Sequence, residues 1–363
     1  MPGNNSLPVT ESLRDMRVRL AVEKSIHDNP GDESVQIDAI ATARCYLRGC
    51  GRAVDIVNSY VNGTIDVRQT VRRIAEPIEY AYTTADGGRR FVSEELCARS
   101  QRSYHKPEMA LELWGPEEDL NELQARVTDP DDAPTVEGEL WDLYYTILHA
   151  ARKTPWRDEG AQQKLVDLVV AFKTRPDPEF PSNMTTALKK NWIYEWGRLW
   201  SNAIMLGPSA RESWNDQPGC GAGWYPPEVS AWANVNAFVA RLTAQGVHDF
   251  HLYSLWALES ALDVKIDIHP HSRTPASSEA VKAECLFEVA RIWIRLAGQS
   301  IFQGLSSGTD SNEKSKWHKW QQRFEEEAAK GQYSPTVTAV AEECAELMSQ
   351  ISEQTQQSQL NSI

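Results

Sequence analysis

Apolar residues recur along most of this chain at the three- and four-residue spacing of an amphipathic helix, and strand-like alternation is almost absent. Helical period runs through residues 34–58, 64–78, 92–104, 107–127, 136–153, 160–174, 184–206, 228–245, 248–264, 277–303, 312–330 and 335–353. Pro107 and Pro116 sit near helix starts, and Pro155, the RPDPEFP run at 175–181 and HPHSRTP at 269–275 separate segments. Only Val264–Ile268 alternates, and weakly. The pattern predicts an all-α fold, a single multi-helix bundle over 33–353. Residues 1–32 read as a flexible N-terminal arm with an amphipathic piece from Arg14 to Ile26, and 354–363 as a disordered polar tail. Gly207–Pro227, with its Gly-Pro, Pro-Gly-Cys-Gly and Pro-Pro steps, reads as a long irregular loop packed back through Trp214, Trp224 and Tyr225.

One predicted helix, KKNWIYEWGRLWSN at 189–202, is unlike the others. Trp192, Trp196 and Trp200 recur every fourth residue, while Asn191, Glu195, Arg198 and Asn202 fall within about 60° of one another around the axis. Its remaining circumference is mostly apolar, so the helix is expected to be largely buried. The polar file is then either a thin wet strip or a buried site in which the Asn and Glu oxygens of Asn191, Glu195 and Asn202 hold a hard cation and Arg198 holds an anion. The helix from Glu137 to Lys153 has the same grammar: Asp142, Thr146, His149 and Lys153 share a stripe flanked by Trp141, Tyr145 and Leu148. Asp142 is a candidate metal ligand, and His149 reads first as a core histidine. Glu284, Glu288, Arg291 and Arg295 align as a salt-bridged solvent face. Asn234, Asn236, Arg241, Glu259 and Asp263 are weaker candidates, and Asp249 reads as a helix cap beside His248 and His251.

Composition narrows the partners. The 363 residues carry 37 basic and 51 acidic side chains, a net charge of −14, which argues against nucleic acid or an anionic membrane surface as partner. No run is long and apolar enough for a membrane span, and no N-terminal apolar leader precedes the first charges, so a cytoplasmic protein is expected. Six cysteines without a CxxC pair predict reduced thiols and no zinc site. Thirteen tryptophans are the outlier, and seven of them lie between Trp192 and Trp256, which points to a regional cause. The GxGxxG, GxxxxGK, HExxH and GxSxG patterns are all missing.

The words LWDLYYTILHAARKTPW, QQKLVDLVVAFKTRPDP, LWSNAIMLGPSARESWN, WANVNAFVARLTAQG and LYSLWALESAL, spread over Glu137 to Gln303, resemble a fungal family of unknown function in secondary metabolism. Within or near it, the chain is similar to the atypical fungal sesquiterpene cyclases of tropolone–sesquiterpene pathways. The resemblance implies a terpene-synthase-like bundle with a central apolar chamber, Mg²⁺ as cofactor, and farnesyl diphosphate as a small-molecule substrate converted to a humulene-type hydrocarbon. It gives the polar file a use. Glu195 and Arg198 become the catalytic pair, Asn191, Glu195, Asn202 and Asp142 the metal ligands, and Trp141, Tyr145, Trp192, Trp196, Trp200 and Lys190 the substrate contacts. The aspartate-rich DDxxD and (N/D)DxxSxxxE motifs of the usual cyclases are absent, so these ligands follow from helical geometry alone. The competing expectation is a non-enzymatic all-α ligand-binding or interaction protein whose tryptophans are simply core.

Overall fold

A computed structural model describes residues 12–49, 51–84, 136–179, 198–263, 279–307 and 311–360. Among them lie twelve α-helices and no strand: α1 (Leu13–Asp28), α2 (Glu33–Ala43), α3 (Arg52–Val61), α4 (Val67–Thr84), α5 (Val136–Lys153), α6 (Glu159–Lys173), α7 (Leu206–Ser213), α8 (Pro226–Ala244), α9 (His251–Asp263), α10 (Glu279–Ser307), α11 (Ser311–Ala329) and α12 (Pro335–Leu360). The all-α reading therefore holds. The predicted segments at 92–104 and 107–127, and the alternating run at 264–268, lie outside the described residues.

Two nearly apolar helices organise the core. In α5, Leu140, Leu143, Tyr144, Ile147 and Leu148 are all essentially without solvent contact, and in α8 the same is true of Val235, Phe238, Val239 and Leu242. The two helices pack on each other, α8 also packs on α10, and α10 lies along α11 and α12. Gly298 permits the last of these approaches, since a Cβ there would meet Ile351 Cδ1 at 2.5 Å. Trp317, fully buried on α11, donates its indole N–H to the Met348 carbonyl of α12 at 3.1 Å.

Local chemistry sets the breaks. The predicted 34–58 helix is two helices, because Cys45 (φ 59°) and Gly49 (φ 71°) adopt left-handed backbone between them. Gly49 has a second reason to be glycine: a Cβ would fall 2.1 Å from Thr146 Oγ1 and 2.5 Å from the Asp142 carbonyl of α5. Pro226 and Pro227 open α8, where missing amide donors cost nothing, and Glu228 accepts from the Tyr225 and Gly223 amides. Helix α1 starts at Ser12, which caps the Asp15 amide, and docks on α2 with Val22 buried.

Three expectations are corrected. The 184–206 helix does not extend through its described end, because 198–205 is a series of turns and α7 begins only at Leu206. Asp177 explains this: its carboxylate takes the Trp200 and Ser201 amides at 2.7 and 3.2 Å and the Ser201 hydroxyl at 2.5 Å, and Ala203 turns left-handed at φ 46°. The loop expected at 207–227 holds most of α7 and a 3₁₀ turn at Trp214–Asp216. The polar tail continues α12 to Leu360, with Ser352 and Thr355 buried.

Candidate functional site

An aromatic cleft of about 470 Å³ lies between α8, α9, α10 and the 3₁₀ turn. Trp232 comes from α8, Tyr253 and Trp256 from α9, and Trp214 from the turn. The rings meet edge to face: Trp214 lies 5.0 Å from Trp232 and 4.5 Å from Tyr253, and Tyr253 lies 5.1 Å from Trp256. Three of the four are buried and Trp256 is 40% exposed at the mouth. One turn beyond Trp256, Glu259 and Asp263 line the same cleft at i, i+4 spacing. Asp263 is tied to Arg323 of α11. Among the described residues, Glu259 makes no hydrogen bond or ion pair, and the lining contains no lysine or arginine.

The amide at the cleft floor is structural. Asn236 donates to the Trp232 carbonyl at 2.9 Å and accepts the Trp293 indole N–H at 2.9 Å, so its polar atoms are already used. Asn234 similarly bridges the Trp156 amide and the Arg152 carbonyl. Arg241 donates to the Trp156 carbonyl at 3.0 Å. The α10 stripe is a solvent-side ion network: Arg291 pairs with Glu288 and Glu343, and Arg295 with Glu343.

A second, polar pocket of about 350 Å³ lies where α2, α3 and α5 meet. Here Asp38 accepts from His149 Nε2 at 2.7 Å and from Lys153 Nζ at 2.8 Å. Burial pushes the His149 imidazole down to about 4 despite the carboxylate beside it, so at neutral pH the ring is uncharged. Burial would raise Asp38, but the hydrogen bonds from His149 and Lys153 outweigh it and hold the carboxyl down at about 2. His149 Nδ1 is buried without a partner, which fits a core histidine holding α2 to α5. Next to it, Arg152 bonds Asp216 at 2.9 Å and the Ser213 carbonyl at 2.7 Å, anchoring the turn that carries Trp214.

Ser300 Oγ, His251 Nε2 and Nδ1, and Asp249 Oδ1 form a relay with steps of 3.0 and 2.6 Å. The spacing matches a serine nucleophile with its base. However, Ser300 lies inside α10, where its own amide is committed to the helix, and Asp249 also takes the His251 amide as a cap at 2.9 Å. The relay joins α9 to α10.

The structure disperses the residues singled out by periodicity. Lys190, Asn191, Trp192, Glu195 and Trp196 lie outside the described residues. Arg198 and Asn202 are exposed on turns, not aligned along a helix. Trp200 is fully buried, stacks on Phe172 at 5.4 Å, and donates its indole N–H to Glu79 at 2.8 Å, while Glu79 also pairs with Arg175. Trp141 and Tyr145 stack on each other at 5.3 Å, with the Trp141 indole on Glu137, and Asp142 is half-buried on the same helix. None of these six described residues lines the aromatic cleft.

The metal expectation meets a specific obstacle. Among the described residues, no three His, Cys, Asp or Glu side chains converge as a ligand set. Glu259 alone offers an unpaired carboxylate to the cleft, which does not by itself fit Mg²⁺. No described helix is long and apolar enough to cross a membrane.

No curated protein and no solved structure matches the chain. The family model described as "Protein of unknown function (DUF3632)" matches residues 144–336, from the middle of α5 through α11, with the whole described lining of the cleft. That match covers more than half of the sequence, and the protein belongs to the DUF3632 family.

Proposed function

We propose that the protein is a sesquiterpene cyclase that takes farnesyl diphosphate to a humulene-type hydrocarbon and diphosphate, with Mg²⁺ as cofactor and the aromatic cleft as the chamber. The single observation that carries this reading is the ring of Trp214, Trp232, Tyr253 and Trp256 around about 470 Å³ in an all-α fold. An allylic cation needs walls that stabilise positive charge without adding to it, and aromatic faces do this, each contributing roughly 0.5–2 kcal/mol. The edge-to-face contacts fix the orientation of the rings, so little reorganisation accompanies charge development. Leu286 and Val289 from α10 add apolar wall to the cleft, and an apolar lining lowers the chance that water captures the ionised chain. The described lining of the cleft holds no cationic side chain for the diphosphate, and among the described residues no three His, Cys, Asp or Glu side chains converge for the metal.

The test is incubation of purified protein with geranyl, farnesyl and geranylgeranyl diphosphate, with and without Mg²⁺, followed by mass spectrometry of the volatile products. The reading requires a metal-dependent hydrocarbon from farnesyl diphosphate. Absence of hydrocarbon from all three substrates sinks it. One observation favours a second reading, a binding protein without turnover: among the described residues, the charged groups lining the cleft are acids only.

A further inference from the structure

We infer that the aromatic cleft is a binding site for an organic ammonium ion, with Glu259 as its counter-ion. The inference rests on the cleft itself, and on the proposed cyclase only in that an ammonium and a carbocation present the same charge to the same faces. Four features of the lining converge on this ligand class. Trp214, Trp232, Tyr253 and Trp256 surround the space with π faces and edges, the arrangement that recognises alkylated ammonium groups. Glu259 brings a carboxylate into the same space and, among the described residues, has no cation to neutralise it. Its neighbour Asp263 differs in being already satisfied by Arg323, so one acid is structural and one is available. No lysine or arginine lines the described wall, so no described side chain there competes with a ligand cation for Glu259.

The geometry orders the contacts. Trp256 sits at the solvent-facing mouth and Trp214 and Trp232 are buried, so a cation enters past Trp256 and settles against the inner rings. Glu259 lies one turn after Trp256 on α9 and, unlike the buried Tyr253 one turn before it, is part-exposed, which places the carboxylate toward the mouth. The site therefore suits a ligand with a compact alkylammonium head, inserted head first, whose charge is shared between the inner rings and the rim acid.

The full chain is titrated with choline as probe at physiological ionic strength, with tryptophan fluorescence and calorimetry as readouts. The neutral carbon isostere of choline, dimethylbutanol, is titrated beside it. Saturable binding is expected, with the isostere at least about tenfold weaker, because it keeps the shape and loses the charge. Glu259→Gln, which keeps the side-chain shape, should weaken choline by about tenfold and leave the isostere unchanged. Trp256→Ala, at the exposed mouth, should weaken both, and Glu212→Gln, an exposed acid outside the cleft, neither. Equal binding of choline and its isostere, no saturation, or unchanged choline affinity in Glu259→Gln overturns the inference. Hydrocarbon formation is read in a separate assay, so loss of turnover with retained ammonium binding defeats only the cyclase, and the converse defeats only this site.

Discussion

Replacing Arg44 by methionine tests the most deeply buried ion pair among the described residues. The Arg44 and Glu228 side chains are 4% and 1% exposed, and they join the end of α2 to the first turn of α8, the helix that carries Trp232. Breaking a buried pair from one side costs roughly 3–5 kcal/mol, because the remaining charge has neither water nor partner. Here the cost falls toward the lower end. Glu228 keeps the Gly223 amide at 2.9 Å and the Tyr225 amide at 3.3 Å, and it sits at a helix N-terminus that favours negative charge. We expect a loss of about 3 kcal/mol for Arg44→Met in urea unfolding. Adding Glu228→Gln removes the stranded charge and should recover more than half of that loss. Lys24→Met, which breaks the exposed α1 pair with Asp28, is the control and should leave the urea midpoint essentially unchanged. If Arg44→Met costs less than about 1 kcal/mol, the pair is not the buried anchor described here.

Other consequences follow from the same contacts. His149 is held near 4, below its ordinary value of 6.5, so the unfolded chain takes up a proton first and stability falls as pH drops from about 6.5 toward 4. Asp38, held near 2, extends the fall below pH 4, and His149→Gln should flatten the upper limb and, because His149 helps hold Asp38 down, also shrink the lower one in pH-dependent melting. Gly49→Ala forces a left-handed alanine into Thr146 and the α5 backbone and should cost at least about 2 kcal/mol in the same unfolding assay. Ser300→Ala should change stability by no more than about 1 kcal/mol and leave any turnover intact, because the relay through His251 is a tie between helices. A loss of turnover with normal folding would instead make Ser300 a nucleophile.

Much of the fold was legible because helical period survives wherever one face is buried. Segments 228–245, 248–264, 312–330 and 335–353 correspond closely to α8, α9, α11 and α12. The failures come from contacts that periodicity does not carry. Asp177 captures the Trp200 and Ser201 amides from a distance no periodicity reveals, and so converts a pattern read as helix into turns. Polar α12 residues looked like a disordered tail because their partners, such as Gln299 on α10 for Thr355, are distant in sequence.

The site was legible in part. Regional tryptophan enrichment pointed to the right stretch of chain, and Trp214 was expected to pack back. The Tyr253, Trp256, Glu259, Asp263 series on α9 carried the needed spacing, and the pairing of Asp263 with Arg323, 60 residues away, is what distinguishes the two acids. Trp200, which the same enrichment suggested as a pocket wall, is held in the core by Glu79. A tryptophan face on a helix does not say whether it meets protein or ligand, because both contacts have the same periodicity.

The most direct test of the cleft as the functional site compares wild type with Trp256→Ala for product formation from farnesyl diphosphate. Trp256 is 40% exposed, so its truncation leaves the core packed and removes one wall of the cleft. The account predicts a soluble, folded variant with hydrocarbon output reduced at least about tenfold or diverted to other products. A variant that makes the wild-type product at the wild-type rate would contradict the placement of the reaction in this cleft.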